Sequence, residues 1–257
     1  MCRLTAYYGP EIPLENIIII PKHSLLVQSH EAEESKIAVN GDGFGVAWYD
    51  DTAIPGLYRD VLPAWADDNL TNLCRLVKSR LFLAHVRAST TGETTRSNCH
   101  PFTHGKWSFM HNGQVGDFDK LRRSLEAHLP DELYVARRGT TDSELLFLLL
   151  MSFISDHEPK KSIEMLIALL HTVAAENQVD AFLRMTCVFS NGAHIYGFRY
   201  ATDKFSPTLY FANKLDNGGA SLSSEPLDGQ DHNWQLVPAN SFVEIDGDVE
   251  VLKALDL

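Results

Sequence analysis

The feature that most constrains this chain is the order of its periodicities. Short β-like runs come first, three helices occupy the middle, and short β-like runs return to the end. Arg3 to Tyr8, Gly43 to Tyr49, Arg80 to Ala88 and Trp107 to His111 alternate or concentrate β-branched, aromatic and aliphatic residues in the manner of strands. Residues 67–78 have helical spacing, with Leu70, Leu73, Cys74 and Val77 on one face. Helices are predicted at about 117–128, 142–156 and 160–176; the last carries Ile163, Leu166, Ile167, Leu170 and Val173 on one stripe. Five short runs then follow at Arg184–Phe189, His194–Arg199, Leu209–Ala212, Ala220–Ser223 and Phe242–Ile245. Residues 13–20 fit a short helix or a strand equally. Segregated strands and helices with hairpin-length links predict an α+β protein of antiparallel sheets covered by helices. Strand and helix do not alternate regularly, which argues against a doubly wound or (β/α)₈ fold. No repeat or linker divides the 257 residues, so one domain over 1–257 is expected.

Charge narrows the partners. With 22 basic against 34 acidic residues the net charge is −12, and such a surface repels nucleic acid and anionic membranes. The apolar run from Leu145 to Ile154 is shorter than the roughly 20 residues a membrane span requires and reads as a buried helix. Cys2, Cys74, Cys99 and Cys187 have no disulfide or metal-ligand spacing, which together with the absence of a leader-like N-terminus suggests a cytoplasmic protein.

The chemistry-bearing residues are scattered. Cys2 follows the initiator Met1; removal of Met1 would leave a thiol and a free α-amine on one residue, the amine titrating near ~7.7–8.0 and able to take the thiol proton. A frayed terminus is the plain alternative, but the strand-like Arg3–Tyr8 would hold Cys2 in a sheet. Arg87 closes the strongest strand beside small hydroxyl residues, a setting suited to a bidentate carboxylate clamp or to a structural ion pair. Asn112-Gly113 is a favoured hairpin turn and also a candidate oxyanion hole. Thr141 and Glu144 have capping-box spacing, and Asp142 between them favours the helix dipole. His100, His104 and His111 do not form a recognisable zinc site, so no metal or cofactor is expected; His100 reads as a hydrogen-bonded or packing residue. Asn40 to Gly45 leads into a strand rather than a helix, which suggests close backbone approach and not a phosphate loop.

As an ordered set these motifs resemble the class II glutamine amidotransferases of the N-terminal-nucleophile hydrolases. The set comprises Met1-Cys2-Arg3, residues 41–45, Ala84 to Thr90, Asn98 to Phe102, His111-Asn112-Gly113 and Gly139 to Glu144. The resemblance implies a four-layer αββα sandwich with Cys2 as nucleophile and Asn112 with Gly113 as oxyanion hole. It also implies Arg87 and Thr90 on the substrate α-carboxylate, Asp142 on its α-ammonium, and His100 near the substrate. Thr91 stands where better-known members have histidine. No synthase domain is apparent, and His23 to Ser29 with Ser223 to Pro226 are similar to a short, stand-alone branch. That branch includes the γ-glutamyl hydrolase of ergothioneine biosynthesis and a subunit of a fungal glutathione-degrading complex. An enzyme that hydrolyses glutamine or a γ-glutamyl conjugate is therefore expected. The alternatives are a glutaminase that feeds ammonia to a separate synthase or complex partner, and a non-catalytic binding or regulatory protein.

Overall fold

The computed structural model describes residues 2–34, 39–89, 93–228, 234–246 and 249–257. The chain begins with β1 (Arg3–Pro13), followed by α1 (Glu15–Ile18), α2 (Leu25–His30), β2 (Phe44–Tyr49), β3 (Gly56–Asp60), α3 (Asp68–Leu76) and β4 (Lys78–Val86). It continues through β5 (Phe102–His104), β6 (Trp107–Val115), α4 (Phe118–Glu126), α5 (Asp131–Ala136), α6 (Asp142–Ile154) and α7 (Pro159–Glu176). The last part is β7 (Leu183–Ser190), β8 (Ile195–Ala201), β9 (Tyr210–Asn213), β10 (Ala220–Ser223), β11 (Trp234–Leu236), β12 (Ser241–Asp246) and β13 (Val249–Ala254).

Two antiparallel sheets result. The seven-stranded sheet runs β11-β9-β10-β1-β4-β2-β3, and the six-stranded sheet runs β13-β12-β8-β7-β6-β5. Because side chains alternate across a strand, each sheet has two faces to bury. Leu4, Ala6, Leu81 and Leu83 of the first sheet meet Met110, Val188 and Val243 of the second in a core between the sheets. The opposite face of the first sheet packs Tyr7, Phe82 and Ala84 against Ile17, Leu25 and Leu70 of α1 to α3. The opposite face of the second packs Phe109, Met185 and Phe198 against α4 to α7. Three apolar layers between four layers of structure make the expected αββα sandwich.

The expected helices and strands form, with boundaries moved by a few residues. Residues 13–20 resolve in favour of a helix at Glu15–Ile18. Helix α6 is apolar nearly all round because α7 covers one side and β6 another, so residues Asp142 to Met151 are all buried. One expectation is corrected: Asn112-Gly113 is not a turn. β6 runs on to Val115, with Asn112 opposite Thr186 and Gly113 opposite Met185 on β7. Pairing with a long neighbour overrides the local turn preference.

Phe109 tests the helix–sheet layer. It is fully buried and stacks on Phe147 of α6 with ring centroids 5.4 Å apart. Phe109→Ala is expected to lower unfolding free energy by about 3–5 kcal/mol in a denaturant titration.

Candidate active site

Cys2 precedes a strand that lies at the centre of its sheet. Arg3 is opposite Val86 and Leu4 opposite His85, so β4 delivers Arg87 next to Cys2. The half-buried Cys2 thiol donates to the Ala88 carbonyl at 3.6 Å. Strand alternation puts Cys2 in line with Leu4 and Ala6, His85 and Arg87 in line with Leu81 and Leu83, and Asn112 in line with Met110. Those apolar residues define the inter-sheet face. The polar residues therefore extend the apolar interface at one end of the sandwich.

Each side chain there is held by its surroundings. Arg87 is buried; its N–H donates to the Gly43 carbonyl at 2.8 Å, and its carbonyl accepts from the Asp42 N–H at 2.9 Å. Its Nη1 reaches the Asp42 carbonyl at 3.5 Å, and the Asp42 carboxylate accepts from the Ser89 N–H at 2.7 Å. Residues 40–45 thus make the close approach their glycines suggested. A Cβ on Gly43, whose φ is +113°, would lie 2.6 Å from Cys99 Sγ, and one on Gly45 would lie 2.2 Å from the His100 carbonyl. His100 is a packing residue: its ring sits 4.2 Å from that of His85 and 4.6 Å from that of Phe102. The ring nitrogens of His85 and His100 and the amide of Asn112 are buried without hydrogen-bond partners among the described residues.

The edge of β6 supplies the other half. Gly116 donates its N–H to Phe182 on the β7 side, whereas Val115 donates in the opposite direction to Asp142 Oδ2 at 2.9 Å. Successive N–H groups alternate along a strand, so the Gly113 N–H projects from the same edge as that of Val115. β5 pairs with β6 only at Trp107 to Phe109, which leaves this stretch of edge beyond it. Glycine is required at 113 by close approach, since a Cβ would lie 1.8 Å from the Arg184 carbonyl oxygen.

Asp142 is placed by the start of α6. Thr141 caps the helix by accepting from the Glu144 N–H at 3.2 Å. The expected capping box is only half present, because Glu144 turns back to the N–H groups of Arg138 and Gly139 instead. Asp142 Oδ1 accepts from the Ser143 N–H at 2.7 Å. His111 Nε2 faces the Arg184 carbonyl at 3.2 Å, and its Nδ1 faces the Ser143 hydroxyl at 2.9 Å. A carbonyl can only accept, so the neutral ring carries its proton on Nε2, and the one proton of the Ser143 hydroxyl lies between Nδ1 and Asp142 Oδ1, which it reaches at 3.2 Å. Thr90 lies outside the described residues, as do Thr91 and Met1.

The electrostatics follow from burial. Burial pushes the Cys2 thiol up, and the charges of Arg87 and Arg3 oppose it. Burial lowers His85 to about 3, with the Arg87 charge acting in the same direction. His100 falls well below its ordinary value through burial and the adjacent His85. His111 is also lowered by burial, against the pull of Asp142.

Sequence reasoning missed several of these residues. Asp42 was visible only as part of a glycine-rich turn, and His85 and Ser143 only as neighbours of Arg87 and Asp142. The buried pair of Arg3 and Glu225, 2.9 Å apart, spans nearly the whole chain and has no local signal.

The neutral histidines predict an acid-sensitive fold. His85 in the unfolded chain takes a proton below about 6.5, whereas the folded chain resists protonation until about 3. The unfolded state binds more protons in that window, so stability present above pH 6.5 is lost as pH falls toward 3. His85→Phe should flatten this decline by up to about 1.4 kcal/mol per pH unit in denaturant titrations at stepped pH.

Comparison with known proteins agrees with the fold and identifies the family. The family model of the class II glutamine amidotransferases matches residues 20–212. A probable glutamine amidotransferase of Saccharomyces cerevisiae, DUG3, is 32% identical over 95% of this chain and 82% of its own length. A gamma-glutamyl-hercynylcysteine sulfoxide hydrolase of Mycolicibacterium smegmatis is 29% identical over 95% of this chain and 96% of its own. A solved glutamine aminotransferase class-II domain protein from Silicibacter pomeroyi superposes over 100% of both chains with a TM-score of 0.79 and 34% identity. The phosphoribosylpyrophosphate amidotransferase of B. subtilis shares the fold, with a TM-score of 0.66 at 13% identity over 50% of its chain. No helix among the described residues is long and apolar enough to cross a membrane. The chain is an enzyme of the class II glutamine amidotransferase family.

Proposed function

We propose that this enzyme hydrolyses a γ-glutamyl amide through a thioester on Cys2. The observation that carries the reading is the placement of Cys2, Arg87 and Asn112 on facing sheets, with the Gly113 N–H and Asp142 on one strand edge. After Met1 is removed, the Cys2 thiol passes its proton to its own α-amine, and Sγ attacks the γ-carbonyl carbon. The Gly113 N–H and the Asn112 amide stabilise the oxyanion, and the buried Asn112 has no competing partner among the described residues. Collapse of the tetrahedral intermediate breaks the C–N bond, and the amine leaves with the proton held by the α-amine. Water then cleaves the thioester to glutamate and restores the thiol.

Arg87 binds the α-carboxylate, a role in which the family resemblance also includes Thr90. Asp142 binds the α-ammonium with the acceptor capacity its bonds to Val115 and Ser143 leave. His100 supports this end by packing under His85. The match to a γ-glutamyl hydrolase over nearly the whole length of both chains favours a γ-glutamyl conjugate over free glutamine as substrate. The second reading, a glutaminase that passes ammonia to a separate synthase or complex partner, draws on the similarity to an amidophosphoribosyltransferase of Homo sapiens, 28% identical over 58% of this chain.

Purified Met1-free protein assayed on a panel of γ-glutamyl compounds separates the two. Faster cleavage of a conjugate than of glutamine by the isolated chain is expected; glutaminase activity that appears only on adding a partner protein would favour the second. Arg87→Ala should lower kcat/KM on every γ-glutamyl substrate by the equivalent of about 3 kcal/mol or more, because a buried partner charge is left unmatched. Unchanged kinetics would remove Arg87 from the site.

A further inference from the structure

A second buried polar cluster lies behind Cys2, on the helix-facing side of β1. Arg3 is completely buried and its Nη1 donates to Glu225 Oε1 at 2.9 Å. Glu225, also buried, accepts from His23 Nε2 at 2.7 Å and from the N–H groups of Glu33 and Glu34 at 3.0 Å each. Gln28 Nε2 donates to the His23 carbonyl at 2.9 Å. The residue before Glu225 completes the frame: Ser224 Oγ accepts from the Leu4 N–H at 3.0 Å, and the Ser224 N–H donates to the Leu4 carbonyl at 2.9 Å.

Three segments, at residues 3, 23 and 33–34, therefore meet on a carboxylate that is distant from all of them in sequence, and the first is the residue that follows Cys2. Strand alternation sends Arg3 away from the inter-sheet face while Cys2 points into it. Fixing the guanidinium consequently fixes the rotation of the strand end about its axis, and with it the direction of the Cys2 thiol. An ion pair this buried is a poor source of net stability, since desolvating two charges offsets most of their attraction. A large apolar residue at position 3 packed on α1 and α2 would serve stability as well. The arrangement makes better sense as a geometric constraint: the carboxylate is fixed by three donors besides Arg3, and the fully enclosed guanidinium is tied to it at Nη1, while its Nε and Nη2 have no hydrogen-bond partner among the described residues.

We infer that Arg3 and Glu225 are positioning residues for Cys2, acting on the rate of the chemical step and not on capture of the substrate. This rests on the proposed role of Cys2 as nucleophile. Neither residue faces the inter-sheet surface that carries Arg87 and Asn112, so substrate affinity should be nearly independent of the pair.

The test measures kcat and KM on a γ-glutamyl amide for Arg3→Met, Glu225→Gln and the double variant. Rates are expressed per folded molecule, from melting curves and from the fraction of Cys2 alkylated by iodoacetamide and located by peptide mapping. Each single variant should lower kcat at least about tenfold with KM within about twofold, and the double variant should lose no more than the worse single one, because the two act as a unit. Wild-type kcat per folded molecule, KM rising in step with the loss of rate, or multiplicative losses in the double variant would overturn the inference. If Glu225→Gln does not fold, Arg3→Lys keeps the buried charge but not the planar fork; reduced kcat at constant KM is again expected, and wild-type kcat again overturns it. A parallel Cys2→Ala variant separates the two levels. Its full turnover would remove the nucleophile and the positioning role together, whereas its inactivity beside a fully active Glu225→Gln would remove only the latter.

Discussion

The structure depends on burying the first strand of the chain in the middle of a sheet. β1 is flanked by β10 on one side and β4 on the other, with three strands of the sheet beyond it in each direction. Chain ends ordinarily fray because few contacts hold them. Here the layers on both sides of its sheet touch β1: Leu4 and Ala6 enter the inter-sheet core, and Tyr7 packs beneath α1 to α3. A side chain this near the chain's end, such as that of Cys2, is held in place by such a constraint. The same constraint brings Arg87 alongside, because antiparallel pairing of β1 with β4 runs the end of one strand past the beginning of the other.

The second sheet answers the first. β6 continues past its short partner β5, so a stretch of strand edge and one alternating side chain, Asn112, remain for a role other than sheet formation. Helix α6 then presents Asp142 at that edge, fixed by the Thr141 cap at one end and by the Val115 N–H at the other. Three buried, neutral histidines fill the space behind these groups. Their burial accounts for both the polar character of this end of the sandwich and its expected weakness in acid.

Much of this was legible in the sequence where a signal is local. The apolar stripe of α7, the Thr141 cap and the alternation in β4 depend on neighbours a few residues away and survive in the fold. The close approach around Gly43 and Gly45 was also readable, since only glycine tolerates it. What local reading missed is decided by distant partners. Asn112-Gly113 has a strong preference for a turn, but eight consecutive register pairs with β7 hold it extended. Arg3 and Glu225 stand 222 positions apart, and nothing near either announces the other. Helix α2 did have a signal that went unused: Ser24 precedes Leu25 and accepts from the Val27 N–H as an N-cap. The ordered set of motifs carried the family where no single motif could.

The most direct measurement is rapid-quench mass spectrometry of the Met1-free enzyme during turnover of a γ-glutamyl amide, with peptide mapping of the N-terminus. The account predicts a glutamyl adduct on the peptide that begins at Cys2, formed and lost at rates consistent with turnover and absent from Cys2→Ala. Turnover with no adduct on Cys2, or undiminished turnover by Cys2→Ala, would contradict it.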